Sequence, residues 1–127
     1  MSILRLATIA AVAIAAVTAV VPAALAKNRD PQVRGTCTAS STSKLKLKIE
    51  NGRIEVEFEV DQNRNGIPWK VTLRRNGTAL ASITARTRAP SGSFTVRRVI
   101  ANPPGADRII ANAASPSGER CKAQLSI

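Results

Sequence analysis

The stretch KLKLKIENGRIEVEFEVD, residues 44–61, constrains the fold more than any other part of the chain. Apolar and charged side chains alternate through both halves of the stretch, and a period of two predicts two half-buried β-strands. Between the halves stands Asn51-Gly52, a pair that tolerates the positive φ angles of a two-residue type I′ turn. The stretch therefore predicts a β-hairpin with one apolar face.

A two-residue turn fixes which charged residues oppose each other across this hairpin. Counting outward from the turn gives the pairs Glu50–Arg53, Lys48–Glu55, Lys46–Glu57 and Lys44–Glu59. Each exposed pair contributes only about 0.2–1 kcal/mol, so the main effect of the ladder is on register, because a one-residue slip would turn the apolar side chains outward. Paired catalytic carboxylates are the alternative interpretation. We favour the structural one, since every glutamate has a basic partner and none is forced into an apolar site.

The first 26 residues resemble an export signal. Arg5 precedes a long run rich in Ala, Val and Ile, which ends at Pro22 and the small-residue pattern Ala24-Leu25-Ala26. This order is typical of a secretory signal peptide cleaved after Ala26, and an uncleaved membrane anchor is the alternative, because the run is long enough to span a bilayer. The alanine content, Pro22 and the small-residue end favour removal. We therefore expect a secreted protein with no membrane segment after cleavage, a flexible mature N-terminus over residues 27–34, and one domain over residues 35–127.

The chain has only two cysteines, Cys37 and Cys121. An exported protein meets an oxidising environment, so we expect the two to form a disulfide between the first and the last strand. Both keep phase with apolar neighbours, which predicts that they point inward. Two free thiols or a metal-binding pair are the alternatives, but the chain has no histidine to complete a zinc site.

Turn sequences recur at short intervals beyond the hairpin, as DQNRNG, RRNGT, RAPSGS, ANPPGA and ASPSGE, and β-branched residues fill the stretches between them. This pattern predicts an all-β antiparallel sandwich of seven to eight strands. The predicted strands lie near residues 35–40, 43–50, 53–61, 68–75, 78–86, 93–101, 107–114 and 119–126. The predicted core comprises Leu45, Leu47, Ile54, Val56, Phe58, Trp69, Val71, Leu73, Phe94, Val96, Ile109, Ala111 and Leu125.

The register of a second hairpin, around Asn76-Gly77, stays open at this stage. A two-residue turn would place Leu73 opposite Leu80. The alternation of Ala79, Ala81 and Ile83 indicates instead that the other side of this strand is buried.

Four segments carry a family resemblance: Trp69 on the strand after the first hairpin, NGT at residues 76–78, APSGSFTVRR at 89–98, and ADRIIANAASPSGERC at 106–121. Together they resemble small secreted immunoglobulin-like or fibronectin-type domains of high-GC Gram-positive bacteria. The resemblance covers most of residues 35–127. It implies an immunoglobulin-like β-sandwich and implies no particular activity. We expect Trp69 in the core rather than as an exposed stacking platform for a sugar or a base.

The loop DQNRNG matches the first six positions of a calcium loop of the D-x-N-x-N-G kind. Its potential oxygen ligands are Asp61, Asn63 and Asn65. The twelfth position is Thr72, where a bidentate glutamate belongs, and Arg64 lies inside the loop. Since such residues also build ordinary strand connections, we predict a plain loop and no metal, with a weak cation site as the alternative.

The sequence offers little for catalysis. It contains no histidine and no tyrosine, and its only cysteines are predicted to be bonded. Four of its eight acids face bases in the hairpin, and the remaining four, Asp30, Asp61, Asp107 and Glu119, fall in predicted termini and loops with no evident pairing. Nucleophile–base pairs and metal triads therefore lack parts, and we predict a protein that is not an enzyme and uses no cofactor.

Positive charge is concentrated in the second half of the mature chain. Residues 27–61 hold seven bases and six acids, whereas residues 62–127 hold eleven bases and two acids. The planar guanidinium of arginine suits carboxylate, sulfate and phosphate groups, which makes a polyanion a plausible partner. Six residues are our candidates for binding it: Arg74, Arg75, Arg86, Arg88, Arg97 and Arg98.

We expect these arginines to lie on one side of the sandwich. On the strand from Ser93, Arg97 alternates outward, and Arg98 breaks the alternation in a way that predicts a bulge or a strand end. The resulting hypothesis is a secreted binding or adhesion module for an anionic polysaccharide or cell-wall polymer. Nucleic acid fits less well, because surface aromatics are lacking. The alternative is a structural or protein-interaction domain, such as an inhibitor or an envelope component, whose basic charge is incidental. The sequence leaves the oligomeric state open.

Overall fold

The computed structural model of the protein describes residues 10–16 and 30–127. Residues 10–16 form neither helix nor strand, and the rest of the predicted signal peptide lies outside the described residues. In the two described ranges, no helix is long and apolar enough to cross a membrane.

The structure is an all-β sandwich of two antiparallel sheets, as the turn spacing predicts. Its strands are β1 (Gln32–Arg34), β2 (Thr36–Cys37), β3 (Thr42–Glu50), β4 (Arg53–Asp61), β5 (Pro68–Arg75), β6 (Thr78–Arg86), β7 (Ser93–Ala101), β8 (Arg108–Ala114) and β9 (Arg120–Ser126). A four-stranded sheet has the order β1-β3-β4-β7, and a five-stranded sheet has the order β2-β9-β8-β5-β6. Seven of the eight predicted strands lie where the sequence places them.

The N-terminal part of the sandwich differs from the prediction. The strand predicted at residues 35–40 is reduced to the two residues of β2, and β1 begins at Gln32, inside the segment predicted to be flexible. Val33 packs against the core, while its neighbours Gln32 and Arg34 are exposed. A single apolar residue is too short a pattern to predict a strand from the sequence. Residues 32–34 form a strand because they pair with β3.

The first hairpin has the predicted register, and each predicted charge pair is aligned across β3 and β4. Asn51 and Gly52 adopt positive φ angles of 52° and 71°, as the turn requires. Ile49 lies on the apolar side of the hairpin, opposite Ile54, but 41% of it is exposed. β1 pairs with β3 only as far as Lys46 toward the turn, so Ile49 lies at an open edge of the four-stranded sheet.

A β-bulge resolves the second hairpin. The two-residue turn pairs Arg75 with Thr78 and Arg74 with Ala79, and the register then shifts so that Leu73 faces Ala81. Leu80 is therefore the extra residue of the bulge, which lets Ala81 and Ile83 point inward while the tight turn is kept.

Strand β7 is regular, and the predicted bulge at Arg98 is wrong. The strand pairs with β4 without interruption, with Arg97 opposite Glu57 and Arg98 opposite Val56. Arg98 thus occupies a core-side position of an edge strand, where it is only half-buried. Its guanidinium donates a 2.7 Å hydrogen bond to the Arg97 carbonyl, and this bond keeps its charged end at the edge.

The core lies between the sheets and contains all the predicted residues except Leu125, which is partly buried near the C-terminus. Trp69 is fully buried, as predicted; its indole donates a 2.9 Å hydrogen bond to Gln62 Oε1, and its ring centroid lies 6.1 Å from that of Phe94. The other buried hydrophobic residues of the described ranges are Val60, Ala81, Ala113, Cys121 and Ala123.

The predicted disulfide joins Cys37 and Cys121, which are directly opposite each other on β2 and β9. It lies within one sheet, whereas the immunoglobulin disulfide connects the two sheets.

Candidate polyanion-binding face

The outer surface of the five-stranded sheet carries only basic charges. Alternation along its strands places six exposed bases at outward positions. These bases are Lys70, Arg74, Arg86, Arg108, Arg120 and Lys122. We call the surface that they form the basic face. No acidic side chain lies at an outward position of this sheet. Within the described residues, none of the six bases forms a salt bridge. The basic face is therefore a field of one sign, open to solvent.

Strand register orders the basic face into rows across the sheet. One row runs Thr84, Lys70, Ala114, Arg120, and the next runs Ser82, Thr72, Asn112, Lys122, Thr36. Neighbouring strands lie about 4.8 Å apart, so the backbones of Lys70 and Arg120, separated by β8, are about 10 Å apart. Between them stands Ala114, a small residue flanked by two long cationic side chains.

A shallow depression of about 430 Å³ lies at this place on the basic face. Lys70, Arg120 and Lys122 supply its charges, and Thr36, Thr38, Thr72 and Asn112 supply hydroxyl and amide groups. The hydroxyl of Thr38 accepts a 2.9 Å hydrogen bond from the Arg120 backbone N–H, which ties the end of β2 to β9 beside the depression. The depression thus combines three cations with uncharged donors and acceptors.

The two acids of residues 62–127, Asp107 and Glu119, are buried. They lie directly before β8 and β9 and not on the basic face. Asp107 Oδ1 accepts a 2.8 Å hydrogen bond from Arg75 Nε and lies 2.7 Å from Arg75 Nη2 in a salt bridge, and Arg75 Nη1 donates to the Ala101 carbonyl at 2.6 Å. Glu119 accepts from the backbone N–H of Ser41 at 3.0 Å and from the Ser41 hydroxyl. Sequence reasoning missed both contacts, because the partners are far apart in the chain.

The outer surface of the four-stranded sheet has a different charge pattern, and we call it the mixed face. Its outward bases are Arg34, Lys44, Lys46, Lys48, Arg53 and Arg97, and its outward acids are Glu50, Glu55, Glu57, Glu59 and Asp61. Arg97 lies between Glu55 and Glu57, at 3.8 Å and 3.5 Å, and Lys46 also contacts Asp30 at 3.6 Å. Bases and acids therefore nearly cancel on this face.

The expectation that the six candidate arginines share one side is wrong. Arg74 and Arg86 lie on the basic face, and Arg88 lies exposed in the loop after β6. Arg75 is held by Asp107, Arg97 belongs to the mixed face, and Arg98 occupies the core side of an edge strand. The cause is topological, because β7 lies in the four-stranded sheet while β5 and β6 lie in the other.

Four bases of the basic face were absent from the predicted site: Lys70, Arg108, Arg120 and Lys122. The signal for them was present, since each occupies an outward position of a correctly predicted strand. What the sequence could not supply was the sheet order that brings β5, β8 and β9 side by side.

The loop after β4 is held by its own side chains. Asp61 Oδ1 accepts a 3.0 Å hydrogen bond from the Asn63 N–H, and the Gln62 carboxamide is engaged by Trp69. Asn63 and Gly66 adopt positive φ angles, as in an ordinary tight connection. Among the described residues, no group of three or more His, Cys, Asp or Glu side chains could hold a metal ion.

Comparison of the chain with protein-family models, with curated proteins and with solved structures finds no match.

Proposed function

We propose that this protein is a secreted, non-enzymatic binding module whose basic face binds anionic polymers of the cell envelope. The observation that carries the proposal is the contrast between the two outer surfaces. The basic face has six exposed bases and no outward acid, whereas the mixed face carries nearly equal numbers of both signs. A charge that served solubility alone would not need to be confined to one sheet.

The physical basis of binding would be electrostatic. A polyanion that contacts several bases releases condensed counterions, so the affinity falls linearly with salt on a double-logarithmic plot. The bases stand on a rigid sheet, which lowers the entropy lost when a polymer binds across it. Bases spread over several neighbouring strands suit a linear polymer better than a compact ligand.

The location in the proposal rests on two features. The disulfide between Cys37 and Cys121 is compatible with an oxidising compartment outside the cytoplasm. The N-terminal sequence has the order of a secretory signal peptide. Outside the cell, acidic polysaccharides and cell-wall polymers would be the anionic partners within reach.

Two variants with equal loss of charge test the proposal. The triple variant Lys70→Gln, Arg120→Gln, Lys122→Gln removes three bases from the basic face. The matched control Lys44→Gln, Lys46→Gln, Lys48→Gln removes three from the mixed face. Retention on dextran sulfate is measured from low to high sodium chloride. We expect the first variant to lower the salt slope by about 2–3 and the control to change it by less than about 1.

Equal losses in the two variants would show that net charge acts as a diffuse cloud, and the basic face would then be no site. Absence of salt-dependent retention in the wild type would reject polyanion binding altogether. The protein would then be better described as a structural or protein-interaction domain with incidental charge.

A further inference from the structure

We infer that the depression over Ala114 is a subsite for the carboxylate or sulfate group of an acidic polysaccharide, an inference that rests on the proposed function of the basic face. The anion would lie above Ala114 between Lys70 and Arg120, and sugar hydroxyls would meet the neighbouring row of Thr72 and Asn112. The depression has a volume of about 430 Å³, enough for part of a sugar unit.

The position of the anion follows from side-chain size. Lys70 and Arg120 flank Ala114 in one row across β5, β8 and β9. A methyl group between two long cationic side chains leaves an open space that both can reach from opposite sides. The guanidinium of Arg120 can bind a carboxylate or sulfate with two parallel hydrogen bonds, and the ammonium of Lys70 adds a third donor.

The uncharged row favours a sugar over a phosphate backbone. Thr72, Asn112 and Thr36 carry hydrogen-bond acceptors as well as donors. A phosphate backbone offers this row only oxygens that accept hydrogen bonds, so it would supply no donor to these acceptors. Hydroxyl groups of a polysaccharide both donate and accept, and they can satisfy each of these side chains.

Aromatic side chains argue against single-stranded nucleic acid as the ligand. The chain contains one tryptophan, two phenylalanines and no tyrosine. Trp69 and Phe58 are fully buried, and Phe94 is 6% exposed. Bases of single-stranded DNA or RNA would thus find no aromatic platform on which to stack. The described residues also form no helix that could enter a duplex groove.

The test separates the subsite from the general charge of the face. Ala114→Leu fills the depression without changing charge, and Ala101→Leu places the same side chain at an exposed, outward position of β7 on the mixed face. Binding of polygalacturonate, dextran sulfate and long-chain polyphosphate is measured at equal ionic strength, with melting temperature as the check on folding. We expect Ala114→Leu to weaken binding of at least one of the two polysaccharides about tenfold, while Ala101→Leu leaves both unchanged.

A second pair of variants tests the hydrogen-bonding row and needs no change of side-chain volume. Thr72→Val removes a hydroxyl from the row, and Thr95→Val removes one from an exposed position of β7. We expect Thr72→Val to weaken polysaccharide binding about fivefold and to leave polyphosphate binding unchanged. Preferential loss for polygalacturonate would identify carboxylate as the bound group, and preferential loss for dextran sulfate would identify sulfate.

Three results would overturn the inference while the proposed function of the basic face still stands. One is an equal effect of Ala114→Leu and Ala101→Leu, and another is no effect of either. The third is polyphosphate binding as tightly as the polysaccharides, with Thr72→Val changing the binding of none of the three polymers. Failure of the wild type to bind any of these polymers would instead reject the proposed function itself.

Discussion

The two outer surfaces of the sandwich differ in how they treat charge. On the mixed face, acids and bases alternate across β3, β4 and β7, so that most charges have a neighbour of opposite sign. On the basic face, six bases share a surface that holds no outward acid. The first arrangement fixes strand register, whereas the second costs self-repulsion and creates a long-range field. The mixed face thus helps to specify the fold, whereas the basic face is suited to binding a partner.

The basic face is free of acids because of where the two acids of residues 62–127 lie. Asp107 and Glu119 each precede a strand of the five-stranded sheet by one residue, yet both side chains are buried. Asp107 holds Arg75, and Glu119 holds Ser41, so neither carboxylate faces the outward bases. Acids that could neutralise the basic face instead hold the start of β8 to β5 of the same sheet and the start of β9 to Ser41, which directly precedes β3.

The largest predicted effect is the loss of stability on removal of the disulfide, which holds β2 at the edge of the basic face. Replacing both cysteines by serine opens a loop with a sequence separation of 84 residues between Cys37 and Cys121. We expect the free energy of unfolding to fall by on the order of 4 kcal/mol, because the unfolded chain is no longer constrained. Urea denaturation of the wild type and of the double variant measures this. A loss of less than about 1 kcal/mol would show that the disulfide is not needed to hold β2 against β9.

A smaller loss should follow when Asp107 is replaced by asparagine. This change leaves Arg75 without its carboxylate, although the side chain of Arg75 is only 16% exposed. Removal of one partner from a buried pair costs about 3 kcal/mol. Asp30→Asn is the matched control, since Asp30 and Lys46 form a more exposed pair at 3.6 Å, for which a loss of less than about 1 kcal/mol is expected. Both variants add one positive charge, so equal losses would contradict a specific role for the buried contact.

Strong local patterns made much of the fold predictable. The hairpin register followed from the alternation of residues 44–61 and from Asn51-Gly52, and the disulfide and the buried Trp69 were also predicted correctly. The features that were not predicted involve either too few residues or residues too far apart in the chain to form a local pattern. Strand β1 has one apolar residue, and the partners of Asp107 and Glu119 lie 32 and 78 residues away.

The candidate site was less predictable than the fold for a related reason. A strand pattern tells which side chains point outward, but it does not tell which strands are neighbours. Arg97 and Arg74 are both outward residues of correctly predicted strands, yet they face opposite sides of the molecule because β7 and β5 lie in different sheets. Charge counted along the chain therefore identified the basic half without identifying the basic face.

The smallest expected effect is also the most direct test of the contrast, because it converts the mixed face toward the basic one. Glu55→Gln with Glu57→Gln removes the two carboxylates that flank Arg97, at 3.8 Å and 3.5 Å, and leaves the bases of that face in place. If freedom from acids is what makes a face bind, polyanion affinity should rise about threefold and the salt slope should steepen by about 1–2. Adding Arg97→Gln to the pair should reverse part of this gain, since it removes the base that the change has released. An unchanged slope on dextran sulfate would mean that exposed bases alone are insufficient, and that the order of bases and hydroxyls on the five-stranded sheet decides binding.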